Sequence, residues 1–369
     1  MNVLFTNFHP GNGGGHTTYL TYLFKDILSD NDDINPYIAV PKTSKLNLDL
    51  KFLYPTRVFD VDFPGKPKEI IQALLNARKL KKIIIENNID LIHVNGTPDH
   101  KVVMLCRWLY GLSYKIIRTK HDTFPIKKGL YANKLYGRYT DHMIVVSQYL
   151  FDEVITKELQ EKTSVIHNGI DLNFFAKKEK SKHLMEKYNV GIDNLVFVSV
   201  AGTGLHKGWQ FLIKAASNLE DIKRHRIKII IAGNYPKDKI ITKFVHDLNM
   251  SQQVIFTGLI NDVRDLISIA DVGFVLSKYE ALSIACKEMM AMGKPMLISN
   301  VGGLPENIDI NVNGWSTDPE DIGKLHKLID SLFSINLEPY SKSAKSKASN
   351  NFGLKKFKNK TIEAYRKLI

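Results

Sequence analysis

The sequence predicts an α/β protein made of two domains of similar construction, each built on a parallel sheet. Short apolar runs alternate with helical stretches along nearly the whole chain, which is typical of parallel sheets covered by helices. These runs form two series, one for each domain. A glycine-rich loop follows the first apolar run of each series, at residues 11–15 and 202–208. At 369 residues the chain also exceeds the size of one comfortable hydrophobic core.

The first series begins with a strand, a glycine-rich loop and a helix, as in nucleotide-binding α/β domains. A second, amphipathic helix is predicted over 68–87, and residues 172–190 have the composition of an interdomain connection. The strands of this series are predicted at 2–8, 36–40, 90–94, 115–119, 143–146 and 163–166.

The second series repeats this pattern, and a basic amphipathic helix over 354–368 ends the chain. Its strands are predicted at 195–200, 228–231, 254–257, 270–276 and 296–299. Because ligands of parallel sheets bind at the carboxyl ends of the strands, we expect the site in the loops after these strands.

The composition narrows the function classes. Cys106 and Cys286 are the two cysteines, far apart in apolar surroundings, so a disulfide framework or a cysteine-based metal cluster does not fit. The first residues lack the pattern of a signal peptide, and no apolar run approaches the ~20 residues that span a bilayer. We therefore expect a cytoplasmic protein that is soluble or rests on a membrane surface.

The charge balance is strongly basic. The chain carries a formal net charge of +13, and residues 341–369 hold many lysines against the single acid Glu363. This balance favours an anionic partner such as nucleic acid, an acidic membrane surface or a phosphorylated substrate.

The stretch 277–295 combines two carboxylates with a predicted helix start. Glu280 lies in the turn after a buried strand, and Glu288 lies inside the following helix. The amides of Leu282 and Ser283 are expected to be free at the positive end of that helix. This arrangement suits a sugar, a ribose and a phosphate; taken alone, the glutamates also fit a solvated loop residue and a salt-bridged helix residue.

Polar side chains follow several predicted strands of the first domain. His93, His121 and Ser147 each stand where a strand ends, so they are expected at one edge of the sheet. A single histidine at such a place is most often a hydrogen-bonded structural residue, whereas several polar residues together favour a site.

Two competing motifs have little support. Asp60 and Asp62 form a D-x-D triplet like that with which some transferases hold a metal–nucleotide complex, but it is predicted to lie in an unsupported loop. The glycines of 202–208 also resemble a nicotinamide-binding loop, but Gly233-Asn234 stands where that class needs an acidic residue. A phosphate-binding loop with Lys207 fits better.

In this order the motifs resemble those of retaining glycosyltransferases of the GT-B fold, in the large group called family four. The motif Glu-x7-Glu from Glu280 to Glu288 is the most specific of them. The other carriers are Gly13-Gly14-Gly15-His16, Arg118-Thr119-Lys120-His121-Asp122, Val145-Val146-Ser147, 165–171, Lys207-Gly208, 231–234, 254–258 and Gly302-Gly303-Leu304-Pro305-Glu306.

The resemblance implies a nucleotide-sugar donor held mainly by the C-terminal domain, in the cleft between the domains. Glu288 matches the family glutamate on the ribose, and Glu280 matches the one on the transferred sugar. Lys207, with the amides of Leu282 and Ser283, would hold the diphosphate.

Further roles are implied for smaller pieces of the motifs. His121 would lie near the transferred sugar and act in catalysis with Glu280 and Lys207. Gly14, Gly15, Gly204 and His206 would line the donor site, and the acceptor-side candidates are His16, His93, Asn95, Asp122 and Ser147.

The resemblance also implies domain roles. Residues 1–172 would form the acceptor-side domain, 173–350 the nucleotide-sugar domain, and 351–369 a helix crossing back onto the first domain. Transfer with retention of anomeric configuration is implied, without a metal or other cofactor. The chain departs from the family in lacking the arginine that commonly precedes the phosphate lysine, and in having Ala281-Leu282-Ser283 where Gly-Phe-Gly is common.

The expected partners are a nucleotide-sugar donor, with UDP-sugars favoured over GDP- and ADP-sugars, and a glycan or lipid-linked acceptor of a bacterial lipopolysaccharide or other surface polysaccharide. Basic and aromatic residues at 124–131, 134–139 and in the tail suit an anionic membrane surface. The alternatives are a sugar-nucleotide epimerase, a non-catalytic glycan-binding relative, a nicotinamide oxidoreductase and a nucleic-acid binder; the last leaves the glycine loops and glutamates unexplained.

Overall fold

The computed structural model describes residues 1–11, 14–29, 33–126, 129, 133–235 and 239–369. Gly13 of the first glycine motif lies outside these residues, as do residues 127–128 and 130–131 of the basic aromatic stretch 124–131. The chain forms two compact units. The first consists of Met1–Gly169 with Leu354–Ile369, and the second consists of Ile170–Gly353.

The first unit contains a seven-stranded parallel sheet in the order β3-β2-β1-β4-β5-β6-β7. Its strands are β1 (Asn2–Thr6), β2 (Asn35–Val40), β3 (Val58–Asp60), β4 (Leu91–Val94), β5 (Lys115–Lys120), β6 (His142–Val145) and β7 (Thr163–Val165). Strand β1 pairs with both β2 and β4. The direction of strand addition therefore reverses between β1 and β4, which opens a crevice at the carboxyl ends of these strands.

The second unit contains a six-stranded parallel sheet in the order β10-β9-β8-β11-β12-β13. Its strands are β8 (Leu195–Ser199), β9 (Ile227–Ile231), β10 (Val254–Phe256), β11 (Val272–Val275), β12 (Met296–Ser299) and β13 (Gly314–Thr317). Strand β8 pairs with both β9 and β11, so the order reverses between β8 and β11.

Helices connect the strands and cover both faces of each sheet, as parallel strands require. They are α1 (Gly14–Ser29), α2 (Lys45–Lys51), α3 (Ile70–Glu86), α4 (Thr97–Tyr110), α5 (Lys157–Gln160), α6 (Lys182–Lys187), α7 (Trp209–Ser217), α8 (Asp221–Arg226), α9 (Lys239–Asp247), α10 (Arg264–Ser268), α11 (Ile284–Ala291), α12 (Ile322–Leu332), α13 (Glu338–Asn351) and α14 (Leu354–Arg366). Short 3₁₀ turns cover Pro67–Glu69, Leu205–Lys207 and Leu304–Asn307, and π-helical segments cover Asn133–Arg138 and Leu150–Val154.

The last helix, α14, belongs to the core of the first unit. It packs against α1 and buries Phe357, Ile362 and Tyr365. The Tyr365 hydroxyl is hydrogen-bonded to Nδ1 of His93 at 2.6 Å, beneath the sheet edge. The apolar positions recur at the spacing of one helix face, which explains why so basic a helix is nevertheless anchored.

The predicted fold class, two α/β domains with parallel sheets, is confirmed. Strands β3 and β13 were not predicted, because they are only three and four residues long and β13 begins with a glycine. The predicted connection 172–190 is wrong in part: it contains α6 and contributes Phe175 and Val190 to the core of the second unit.

The D-x-D interpretation is also resolved by the local structure. Asp60 ends strand β3 rather than standing in a loop, and its Oδ1 accepts hydrogen bonds from Asn47 and Lys51. The Lys51 ammonium and the Asn47 amide lower the pKa of this carboxyl. Asp60 therefore links α2 to β3, and these contacts explain its carboxylate without a bound metal.

Gly208 connects the second glycine-rich loop to α7 and has a left-handed conformation, with φ of +72°. A Cβ at this position would lie 1.7 Å from the carbonyl oxygen of Leu276, which follows β11. Gly293 has a similar φ of +76° but leaves room, since its nearest heavy atom would be 3.6 Å away.

We predict that Gly208→Ala lowers the free energy of unfolding by more than about 3 kcal/mol, since it adds a backbone clash to left-handed strain. Gly293→Ala in the same unit carries only the strain and should cost about 1 kcal/mol. Urea unfolding of both variants measures the difference, and equal losses would show that the loop does not pack against Leu276 as described.

Candidate functional site

The candidate site of the second unit lies at the carboxyl ends of β8 and β11. These strands pair directly, with Phe197 opposite Val272, so the loops that follow them are neighbours. The loop after β8 carries the glycines and Lys207, and the loop after β11 carries Glu280. The backbone amide of Lys278 donates to the carbonyl of His206 at 2.8 Å and joins the two loops.

Lys207 and Glu280 form an ion pair across these loops. The Lys207 Nζ lies 2.8 Å from Oε2 of Glu280, and the two side chains are only 21% and 18% exposed. The Ser277 hydroxyl donates to the same carboxylate oxygen at 3.3 Å. The pair therefore presents one cation and one carboxylate at fixed positions. Both are partly buried, and charges interact more strongly there than in water.

His206, beside Lys207, stacks on Tyr279 with ring centroids 5.3 Å apart and planes within 9° of parallel. Burial, followed by the nearby Lys207 charge, lowers the pKa of His206, with Glu280 acting in the opposite direction. The shift favours the neutral form of His206. Gly204 lies exposed at the start of the same 3₁₀ turn, and its carbonyl accepts the Lys207 amide at 2.8 Å.

The helix start differs from the prediction by one to two residues. Helix α11 begins at Ile284, so the amides of Leu282 and Ser283 lie just ahead of it rather than in its first turn. Ser283 is the N-cap: its hydroxyl accepts the amide of Cys286 at 3.3 Å. Among the described residues, the amides of Leu282 and Ser283 have no hydrogen-bond partner, which leaves them available to an anion.

Ser283 takes a conformation that side chains rarely adopt, with φ of +78°. A non-glycine residue in this region costs on the order of 1–3 kcal/mol and persists where the surroundings hold it. This is the position at which glycine is common in the family pattern. The strain therefore lies at the turn between Glu280 and the helix.

The loop after β12 supports this turn from below. The amide of Gly303 donates to the carbonyl of Glu280 at 3.1 Å, and a Cβ on Gly302 would lie 2.0 Å from that oxygen. The fully buried Asn307 donates its side-chain amide to the carbonyl of Leu282. The positioning role of Asn307 was not predicted, because nothing in the sequence distinguishes it from a turn asparagine.

Glu288 lies on α11, eight residues beyond Glu280, and is partly buried. Within the described ranges its carboxylate has neither a hydrogen-bond partner nor an ion-pair partner. Burial raises the pKa of this carboxyl to about 7. A carboxylate that has lost water without gaining a partner is a strong acceptor for ligand hydroxyl groups.

The first unit has its own group of polar residues at the carboxyl ends of β1, β4 and β5. Nε2 of His121 lies 3.0 Å from Oδ1 of Asn95, which fixes the ring. The rings of His16 and His121 are 4.3 Å apart, and those of His9 and His16 are 4.9 Å apart. His9 was not singled out from the sequence.

These histidines are neutral near pH 7. Burial, with a smaller contribution from His9, lowers the pKa of His16 to about 4, and burial lowers the pKa of His121 well below its usual value. A neutral imidazole can donate to or accept from a hydroxyl group but carries no charge to a phosphate. The chemistry of this group therefore suits a sugar.

Two predicted acceptor-side residues, His93 and Ser147, lie in the interior of the unit. His93 is fully buried, and its two ring nitrogens are hydrogen-bonded to Tyr365 and to the hydroxyl of Thr119, each at 2.6 Å. Ser147 is also fully buried, and its hydroxyl accepts the amide of Leu150 at 3.3 Å. Neither side chain reaches the surface, and the hydrogen bonds of each stabilise the first unit.

The other predicted site residues of this unit differ in their exposure to solvent. Asn95 is 2% exposed, and its side chain contacts His121, 3.0 Å away, and the carbonyls of Thr6 and His93. Asp122 is 42% exposed on its side chain and pairs with the buried Lys120 at 2.7 Å. Gly14 and Gly15 are exposed at the first turn of α1.

In the part of the chain that the structure describes, no three His, Cys, Asp or Glu side chains are grouped so that they could hold a metal ion. No described helix is long and apolar enough to cross a membrane.

The fold and the site together define a class, the glycosyltransferases of the GT-B fold. A solved structure of Anabaena HepE in complex with UDP-glucose superimposes over all of both chains with a TM-score of 0.83, at 20% sequence identity. Residues 13–174 match the sequence profile of Glycosyltransferase Family 4, and residues 180–350 match that of Glycosyl transferases group 1. Each profile covers one of the two domains, and together they show that the chain is a glycosyltransferase of this class.

Two relatives match over more than two thirds of their own length. An uncharacterized glycosyltransferase of Methanocaldococcus jannaschii is 27% identical over 290 residues, 73% of each chain. The UDP-Gal:alpha-D-GlcNAc-diphosphoundecaprenol alpha-1,3-galactosyltransferase of Escherichia coli is 24% identical over 325 residues, 84% of this chain and 83% of the relative.

The raised pKa of Glu288 predicts a pH-dependent cost of folding. Between its unfolded value of about 4.5 and its folded value of about 7, the unfolded chain releases the proton and the folded chain keeps it. The free energy of unfolding therefore falls as pH rises through this window. Relative to wild type, Glu288→Gln should gain about 1–3 kcal/mol between pH ~4.5 and pH ~8.

Urea unfolding at the two pH values measures this gain. Glu179→Gln in the same unit is the control, because Glu179 is exposed. The burial of Glu288 is refuted if both variants respond to pH alike.

Proposed function

We propose that this glycosyltransferase moves a sugar from a UDP-sugar to a glycan or lipid-linked glycan acceptor, with retention of anomeric configuration. The observation that carries the proposal is the Lys207–Glu280 pair, held at 2.8 Å where the β8 and β11 loops meet. One cation for a diphosphate beside one carboxylate for sugar hydroxyls is what a nucleotide-sugar donor requires.

Glu288 would bind the ribose of the donor. Its carboxylate lacks a protein partner among the described residues and is partly buried, so two ribose hydroxyl groups would replace the water it has lost. Hydrogen bonds to a charged group contribute about 1.5–3 kcal/mol each. The UDP carrier is supported by the Escherichia coli relative, whose name specifies UDP-Gal, and by the UDP-glucose bound to the Anabaena structure.

Lys207 would stabilise the diphosphate as it leaves. The commonly preceding arginine is missing from this chain, and burial lowers the pKa of His206. Lys207, with the amides of Leu282 and Ser283, would therefore supply most of the local positive potential. Its pairing with Glu280 keeps the ammonium group in place before the donor arrives.

The transfer would take place on one face of the sugar. The bond from the anomeric carbon to the diphosphate oxygen breaks, and the acceptor hydroxyl oxygen forms a new bond to the same carbon from the same side. The acceptor proton passes to the departing phosphate oxygen, so no protein base is needed. Glu280 would hold sugar hydroxyls during this step, and His121, fixed by Asn95, would hydrogen-bond the sugar or the acceptor.

The acceptor would be an intermediate of a bacterial surface polysaccharide, such as a lipopolysaccharide or capsule. The name of the Escherichia coli relative specifies a sugar on diphosphoundecaprenol, a lipid carrier. His16 and Asp122, partly exposed beside His121, would contact the glycan part of such an acceptor. No metal ion or organic cofactor is proposed, since Lys207 and the amides take up the charge of the leaving group.

We predict that Lys207→Met lowers kcat about 10²–10³-fold, since it removes charge stabilisation at the leaving group. Glu280→Gln should lower kcat about tenfold or more while changing the affinity for UDP by less than about threefold. Lys223→Met is the matched control: it removes a comparable ion pair, with Asp330 at 2.7 Å, elsewhere in the same unit.

The assay measures UDP release and product with a panel of UDP-sugars and lipid-linked glycans, and the anomeric coupling constant of the product reports its configuration. Unchanged kcat in both Lys207→Met and Glu280→Gln contradicts the site assignment. An inverted product contradicts the mechanism, and donor turnover without any acceptor identifies an epimerase instead.

A further inference from the structure

Helix α3 of the first unit exposes a cluster of large aliphatic side chains at its first two turns. Ile70, Ile71, Leu74 and Leu75 are 54%, 72%, 40% and 53% exposed. Single exposed apolar residues are ordinary, whereas four adjacent ones on a helix mark a binding surface. These positions, at i, i+1, i+4 and i+5, share one side of the helix.

The same side of α3 continues with basic residues. Arg78, Lys79 and Lys82 are exposed, and Lys66 and Lys68 stand exposed just before the helix. Between Glu69 and Glu86 the sequence contains no acidic residue. We call the surface formed by Ile70, Ile71, Leu74, Leu75, Arg78, Lys79 and Lys82 the α3 surface.

The opposite side of α3 is firmly anchored. Ala73, Ala77, Leu80 and Ile84 are buried in the core beneath the sheet, and α3 packs along α4. The α3 surface is therefore presented by a helix that is already folded. Binding through it does not have to supply the free energy of forming a helix.

The α3 surface begins near the carboxyl ends of the strands of the first sheet, where His121 also lies. Helix α3 follows β3, and Gly65, just before it, lies beside Pro98 at the start of α4, where a Cβ would be 3.3 Å away. Gly96 caps that helix, and Asn95, its neighbour in sequence, holds His121. A surface bound by the first turns of α3 would thus lie near the proposed acceptor residues of the same unit.

We propose that the α3 surface docks on an anionic lipid bilayer. Aliphatic side chains followed by Arg78, Lys79 and Lys82 match the acyl boundary and the anionic headgroups of such a membrane; the exposed Glu86, 3.6 Å from Lys82, offsets one of these three charges. The proposal deepens the proposed function, because a membrane at this edge would present a lipid-linked acceptor to His121. It does not depend on catalysis, since the docking can be measured without donor or acceptor.

The basic C-terminal helix fits this role less well. Helix α14 directs its aromatic and aliphatic residues into the core of the first unit, with Phe357, Ile362 and Tyr365 at most 4% exposed. Its outer side offers charge with little apolar area. Of the other basic aromatic stretch, Phe124 is 70% exposed, and residues 127–128 and 130–132 lie outside the described residues.

A dye on one accessible cysteine tests the docking directly. Cys106 and Cys286 are fully buried, so Ile71→Cys offers an accessible thiol for an environment-sensitive dye. Vesicles containing phosphatidylglycerol should shift the dye emission to the blue, and vesicles of phosphatidylcholine alone should not. Ile192→Cys is the control, since Ile192 is 95% exposed in the other unit and should report no shift.

Vesicle flotation of variants then separates the contributions. Ile71→Ser with Leu75→Ser should reduce binding about tenfold or more, since two large side chains no longer enter the interface. Arg78→Glu with Lys82→Glu should do the same at low salt, whereas Ile192→Ser should bind as wild type. The charge contribution should fade at high ionic strength.

Three results would overturn the proposal. The first is full binding by both α3 double variants. The second is loss of binding only in the tail variant Lys355→Glu with Lys360→Glu, which would move the membrane contact to α14. The third is sedimentation as a dimer that the α3 variants disrupt, without vesicle binding. UDP affinity measured on every variant checks the donor site separately, so the two proposals fail independently.

Discussion

The direct pairing of β8 with β11 is the constraint on which the candidate donor site depends. Loops from distant parts of the chain meet there because both strands end at the same edge. Backbone packs against backbone around them: Gly208 closes on the carbonyl of Leu276, and Gly302 on that of Glu280. A side chain at Gly208 or Gly302 would push the loops apart and would separate Lys207 from Glu280.

The electrostatics of the site divide into a satisfied part and an unsatisfied part. Lys207 and Glu280 satisfy each other at the meeting point of the loops. Glu288 is desolvated without compensation, and this burial raises its pKa. A free energy cost in the unliganded protein that a ligand can relieve becomes part of the ligand's affinity. The histidines of the first unit contrast with this, since they remain neutral and mutually packed.

The sequence was sufficient to predict the two parallel-sheet domains and the order of the main motifs, because periodicity and glycine-rich loops are local signals. It also singled out Glu280, Glu288 and Lys207. Glu280 and Glu288 lie in one strand-turn-helix segment and Lys207 lies in another, so local sequence patterns are enough to place them. The sequence could not distinguish His93 and Ser147 from surface residues, since their burial depends on Tyr365 and Leu150 through tertiary packing. The strained turn at Ser283 and its support from Asn307 likewise depend on tertiary contacts that no local sequence pattern encodes.

The contact between Glu288 and the donor ribose can be tested most directly by changing both partners. We propose to measure the affinity for UDP and for 2′,3′-dideoxy-UDP by titration calorimetry, with wild type and with Glu288→Ala. Wild type should prefer UDP by about 10–100-fold, and Glu288→Ala should bind the two ligands within about twofold of each other, since the hydroxyl groups then lack their acceptor. An undiminished preference for UDP in Glu288→Ala would contradict the placement of the donor at this site.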